Sequence, residues 1–224
     1  MAEEVATAGG NALPFQLDVR QDDQIANMMQ AVVDTFGGID ALVNNAGAIS
    51  LTPVEKTPMK RYDLMQSINS RAVFTCAQSA LPFLKASANP HILSLSPPLN
   101  LSIKWLKDHA PYTLSKYGMT MLSLGMAAEF EAYGIAVNCL WPQTAIATAA
   151  IEFVVGNRDL FKHCRKPEIM ADAAYEILIT ENRQLCGQTL TDEQVLRQRG
   201  HTDFKQYAVD PTHADQLLPD FFLD

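Results

Sequence analysis

Apolar runs of strand length alternate along the chain with longer stretches patterned at the helical period, which marks alternating strands and helices. Ala12–Val19 reads as a strand. Asp22–Phe36 follows with Ile25, Met28, Met29, Val32 and Val33 on one helical face, and Gly37-Gly38 stops it. Ile39–Val43 is a short buried strand opening into Asn44-Asn45-Ala46-Gly47. A long helix is predicted over Arg61–Lys85 and a strand over His91–Ser96, halted by Pro97-Pro98. A second long helix covers Tyr112–Tyr133 and closes at Gly134. Ile135–Leu140 is the next strand, Ala171–Thr180 a helix, and Gln188–Thr191 the last strand. Strands regularly separated by helices imply parallel pairing through right-handed crossovers, hence an α/β fold with a doubly wound parallel sheet. There are no repeats or linkers, so residues 1–192 read as one domain. From about Asp192 the pattern turns irregular and polar, as expected of a tail (193–224) wrapping that domain.

Composition narrows this picture without redirecting it. The 224 residues are 48% hydrophobic and 19% charged, the balance of an ordinary soluble globular protein. A formal charge of −8 without a Lys/Arg cluster argues against nucleic acid or an anionic membrane as partner. No apolar run reaches membrane-spanning length, and the acidic start Met-Ala-Glu-Glu-Val-Ala lacks a basic leader region. Cys76, Cys139, Cys164 and Cys186 are widely spaced and lack a Cys-x-x-Cys pair. They read as reduced thiols in a cytoplasmic compartment. His163-Cys164 has no second pair at metal spacing, so no metal site is expected.

In an open α/β sheet, ligands bind beyond the carboxyl ends of the strands. Asp18, Asn44–Gly47, Ser96 and Pro142–Thr148 all fall just after predicted strands. Tyr112 and Lys116 are four residues apart in a predicted helix, which places both on one face. A tyrosine hydroxyl has a pKa near 10, and a neighbouring ammonium favours the phenolate. Such a pair can exchange a proton with a carbonyl or alcohol oxygen. A packed Tyr beside a solvated Lys gives the same spacing, so the pair alone is a weak signal. The small residues and amides of Asn44-Asn45-Ala46-Gly47 would let a flat ligand approach the backbone, although a plain strand-to-loop turn also fits.

Taken in order, Asp18-Val19, Asn44–Gly47, Asn69, Tyr112-x-x-x-Lys116 and Pro142 with Thr144-Ala-Ile-Ala-Thr148 resemble the short-chain dehydrogenase/reductase family across about Ala12–Asp192. The resemblance implies a Rossmann-like fold and an NADP- or NAD-dependent oxidoreductase, with NADP ahead. Tyr112 would be the proton donor and acceptor. Lys116 would lower its pKa and hold the nicotinamide ribose, and Asn69 would hold a water that relays protons. Asp18 and Val19 would contact the adenine, Asn45, Ala46 and Gly47 would line the adenosine ribose, and Pro142 and Thr144 would flank the nicotinamide. A homo-oligomer built on the two long helices is also implied. Further segments, including Ser96-Pro-Pro-Leu-Asn-Leu101, Trp141-Pro-Gln-Thr-Ala-Ile146 and Asp220-Phe-Phe-Leu-Asp224, resemble a narrower branch of the family. That branch and the apolar stretch Ala149–Val155 imply an apolar, lipid-like carbonyl or alcohol substrate.

Three departures accompany the resemblance. The family's serine, 13 residues before the tyrosine, is Leu99 here. Ser96, at the strand end, is the candidate to polarise the substrate oxygen, or it caps the strand. Gln143 stands where a glycine usually follows the proline. The pyrophosphate-binding Gly-x-x-x-Gly-x-Gly turn does not occur, and Gly9-Gly10 precedes a strand rather than following one. The sequence therefore lacks the first β-α-β unit, as in a truncated copy, and one edge of the sheet is expected to stand unpaired. A non-catalytic homologue serving as a scaffold is the competing expectation.

Overall fold

The computed structural model describes residues 2–149, 151, 158–181 and 183–224. The chain opens with α1 (Ala2–Thr7) and reaches α2 (Asp22–Phe36), β1 (Ala41–Asn44) and α3 (Met59–Gln66). A π-helical stretch, Ser67–Arg71, joins α3 to α4 (Ala72–Leu84). There follow β2 (His91–Leu95), α5 (Ile103–Leu106), α6 (Ala110–Glu129), β3 (Ala136–Trp141), α7 (Glu168–Leu178), β4 (Thr189–Thr191) and α8 (Asp192–Gln198). The strands lie in the order β1-β2-β3-β4 and every pair is parallel, with Val43 opposite Leu93 and Leu93 opposite Asn138. This is the expected Rossmann-like sheet in a single domain.

Strand alternation builds a core on each side of the sheet. Ile92 and Val137 meet Ile25 and Met29 of α2, Val73 and Leu84 of α4, and Met119 of α6. Leu93 and Leu140 face the other way, against Ile169 and Ile177 of α7 and Leu196 of α8. Burial on both faces is why β2 and β3 are written as nearly continuous apolar runs. Each fully buried Leu or Ile contributes roughly 1.5–3 kcal/mol.

The helix boundaries follow the sequence closely. Gly37, at φ 88°, receives the end of α2, and its N–H returns to the Val33 carbonyl. Gly134, at φ 72°, closes the 3-10 turn that extends α6. Three expectations are corrected. Residues 12–19 form no strand, because Pro14 lacks an N–H and no described strand lies beside them to complete a ladder. The strand after Gly38 is not buried. Its outer edge carries no strand among the described residues, and Val43 is 44% exposed. The long helix expected over 61–85 runs continuously from Met59 to Leu84, and its middle turn, which holds Asn69, is π-helical. The supposedly irregular tail begins as α8, whose Thr191 accepts from the Gln194 N–H while the Gln194 side chain accepts from the Thr191 N–H. Its polar look comes from the capped first turn, whereas Val195 and Leu196 are buried.

Candidate active site

The site is assembled where α6 crosses the carboxyl ends of β2 and β3. Pro111 sits in the first turn of α6, where its missing N–H costs nothing. One turn of helix then sets Tyr112 and Lys116 side by side, each 7% exposed. Lys116 Nζ donates to the Leu95 carbonyl at 2.6 Å and lies 5.0 Å from the centre of the Trp141 ring. Burial pushes the Tyr112 hydroxyl pKa upward, and the charge of Asp220 adds to the shift. Burial also pulls Lys116 down to about 8, opposed by Asp220 and by Cys139. The expected lowering of the Tyr112 pKa is therefore reversed, because the lost hydration of the phenolate dominates.

Asn69 braces this pair from behind. It is fully buried, and its side chain is committed: Oδ1 accepts from the Ala48 N–H at 2.8 Å, while Nδ2 donates to the Ala48 carbonyl at 2.9 Å and to Ser115 Oγ at 2.8 Å. Ser115 Oγ in turn donates to the Tyr112 carbonyl at 2.8 Å. One amide thus locks the loop after β1 to the helix that carries the tyrosine, and the π-helical stretch is what aims it. Beside it, a Cβ at Gly118 would lie 2.9 Å from Ser70 Cβ, so only glycine lets the two helices approach this closely. Ser115 was not singled out from the sequence, although its place three residues after Tyr112 puts it on the adjoining helical face.

The remaining predicted residues line the strand ends. Ser96 is 1% exposed and its hydroxyl has no hydrogen-bond partner, so it does not cap β2; the Cys139 thiol is its neighbour. Thr144 is 9% exposed, and its hydroxyl is likewise buried and unpartnered. Pro142 is half-buried. The Gln143 N–H donates to Asp192 Oδ1 at 2.9 Å, and its carbonyl accepts from the Asp220 N–H at 3.3 Å. Asp192 and Asp220, also missed from sequence, thereby grip the loop where glycine was expected. Ala149–Val155 lies mostly outside the described residues.

The residues expected on the adenosine side differ in character. Asn45, Ala46 and Gly47 are exposed. The Asp18 carboxylate is held by Arg20 through Nε at 2.9 Å and Nη2 at 2.5 Å, and this contact lowers its pKa to about 2. Val19, half-buried, lies between the two. Arg71, at the end of the π-helical stretch, reaches Asp22 at 2.8 Å and so ties this segment to the Asn69 brace.

A family model described as enoyl-(acyl carrier protein) reductase matches residues 1–177. The solved structure of a short-chain dehydrogenase from Mycobacterium thermoresistibile is 44% identical. It superposes with a TM-score of 0.92, covering 100% of this chain and 78% of that one. The chain belongs to the short-chain dehydrogenase/reductase family. A Xanthomonas campestris protein assigned as a dehydrogenase is 52% identical, with a TM-score of 0.94 over 100% of this chain and 80% of its own. Hydroxysteroid dehydrogenase-like protein 2 is 52% identical in Xenopus laevis and 48% in Homo sapiens, over 223 residues in each case. Both matches cover 100% of this chain but 52% of the relative, so the chain spans about half the length of the curated relatives it matches.

Short-chain dehydrogenases use NAD or NADP, and the two ends of such a dinucleotide meet unequal provision here. The orphaned hydroxyls of Thr144 and Ser96 fit a polar group arriving beside Tyr112 and Lys116. The exposed backbone of 45–47 fits close approach of the adenosine ribose. No Gly-x-x-x-Gly-x-Gly turn occurs in these 224 residues to receive the pyrophosphate.

Proposed function

We propose that this chain is an oxidoreductase that interconverts a carbonyl and a secondary alcohol on an apolar, lipid-like substrate, with NADP ahead of NAD as cofactor. The observation that carries the reading is the buried Tyr112–Lys116 pair, braced by Asn69 through Ser115 at the strand ends. The cofactor supplies or accepts hydride. Tyr112, held as the neutral phenol by its burial, gives the proton to the carbonyl oxygen, and Ser96 polarises that oxygen. Lys116 and Thr144, with Pro142, position the nicotinamide end. Asp18, Val19, Asn45, Ala46 and Gly47 receive the adenosine end. Asn69 keeps the two ends in register through Ala48, and a water on the Asn69 segment would refill the proton.

The apolar substrate preference is supported by the aromatic side chains around Tyr112, with Trp105, Phe221 and Phe222 packed there. A homo-oligomer is part of the proposal. The outward faces of α3 and α6 bound an apolar groove of about 750 Å³ lined by Val54, Met59, Leu114 and Met121, which are 56–73% exposed. No helix of the described residues is long and apolar enough to cross a membrane, and the four cysteines are free, in keeping with a cytoplasmic setting. Titration with NADPH and NADH, followed by nicotinamide fluorescence, tests the reading. It expects saturable binding, tighter for NADPH, and a folded protein that binds neither would refute it.

A further inference from the structure

Residues 219–224 cross the site in one pass. Upstream, the Ala145 N–H donates to the Leu218 carbonyl at 2.9 Å, and Trp141 Nε1 donates to the Phe221 carbonyl at 2.9 Å. Downstream, Asn100 Nδ2 donates to the Phe222 carbonyl at 3.2 Å, and Lys104 Nζ pairs with the Asp224 carboxylate at 2.5 Å. The segment therefore ties the loop of Pro142 and Thr144 to the loop that follows Ser96. Between these anchors the Phe222 side chain is 1% exposed. Its ring stacks on Tyr112 at 6.2 Å and 27°, and meets Tyr117 at 5.2 Å and Trp141 at 5.9 Å. Phe222 reaches this place with φ at 71°, the left-handed region, which is strained for a bulky residue and persists only where packing over-determines it. Phe221, next to it, faces Trp105 at 5.9 Å and His109 at 5.5 Å.

Resting on the oxidoreductase reading above, we propose that segment 219–224 is a working wall of the catalytic centre, in which Phe222 positions the Tyr112 ring. Beside Lys116 lie Met119 on its own helix, the Leu95 carbonyl of β2 and Trp141 of β3. Asp220 fixes the entry of the segment: its Oδ1 accepts from the Phe221 N–H at 2.7 Å, and its own N–H donates to the Gln143 carbonyl at 3.3 Å. Phe221 and Phe222 give the segment its second effect, an apolar wall on the side of the tyrosine that excludes water.

Both tryptophans of the chain, Trp105 and Trp141, touch this segment, so their emission reports on it without turnover. The experiment compares the full chain with Phe222→Ala and Phe222→Leu. Phe222→Ala is expected to red-shift the emission and to lower kcat on the order of 100-fold, the penalty of a misplaced reacting group, with NADPH affinity retained. Phe222→Leu keeps the site dry and restores the fold if the alanine loses it; it is expected to recover the emission while remaining below the wild-type kcat. Wild-type kcat in both Phe222 variants would overturn the proposal. Absence of NADPH binding in every form would instead count against the oxidoreductase reading, with the emission of Phe222→Ala still deciding whether the segment packs on the site.

Discussion

The two ends of the site are built to opposite rules. At the proton-transfer end, Tyr112, Lys116, Asn69 and Ser115 are buried; Asn69 donates to Ser115, Ser115 to the Tyr112 carbonyl, and Lys116 to the Leu95 carbonyl. At the adenosine end, Asn45–Gly47 is exposed, and Asp18 is satisfied by a neighbouring arginine in water. The difference follows from where each segment sits. Tyr112 and Lys116 ride a helix packed on central strands buried on both faces, whereas Asp18 lies in the loop that leads into α2. Burial sets the titration behaviour at one end, and an exposed ion pair sets it at the other.

That contrast can be broken by substitution, beginning with its strongest element. Asn69→Ala leaves the Ala48 N–H and carbonyl and the Ser115 hydroxyl without their partner, and each buried polar group left unsatisfied costs about 1–3 kcal/mol. Chemical denaturation is expected to register several such increments, together with loss of turnover. Gly118→Ala forces a Cβ to within 2.9 Å of Ser70, which overpacks the same joint at about 1–3 kcal/mol, read as a lowered midpoint of unfolding. At the adenosine end, Asp18→Ala removes an exposed ion pair and is expected to change stability by no more than about 0.5 kcal/mol, while weakening cofactor binding. A loss comparable to that of Asn69→Ala would dissolve the distinction.

The buried carboxylates sharpen the contrast through pH. Asp192 and Asp220 are raised to about 6 and about 7 by burial, from an ordinary value of 3.8. The folded protein therefore holds protons that the unfolded chain releases. The stability these groups contribute is complete below about pH 4 and is lost as pH rises through 6 and 7. The melting temperature of Asp220→Asn relative to wild type is accordingly expected to rise between pH 4 and pH 7.5. A flat difference would contradict the assignment.

The sequence made the frame legible because its signals were local. Ile25, Met29 and Val33 repeat at helical spacing, Gly37 and Gly134 end helices by left-handed turns, and doubly buried β2 and β3 show continuous apolar runs. Residues 12–19 misled because their alternation is real while strand formation depends on a neighbour that only the fold can supply. In the site, Tyr112, Lys116 and Asn69 stood out by type and spacing. Asp192, Asp220 and Phe222 did not, since an acid or an aromatic in a polar stretch carries no mark of burial until the chain folds back on itself. The direction of the Tyr112 shift was hidden for the same reason: proximity to Lys116 follows from helical spacing, but the desolvation that outweighs it comes from the whole fold.

The central claim is that Tyr112 is the group that moves the proton. It is tested most directly by Tyr112→Phe, which deletes the hydroxyl and keeps the ring against Phe222. The account predicts that kcat falls by roughly 100- to 10,000-fold, the range of a lost general acid, while NADPH binds with nearly unchanged affinity. Undiminished kcat in a variant that binds NADPH normally would contradict it.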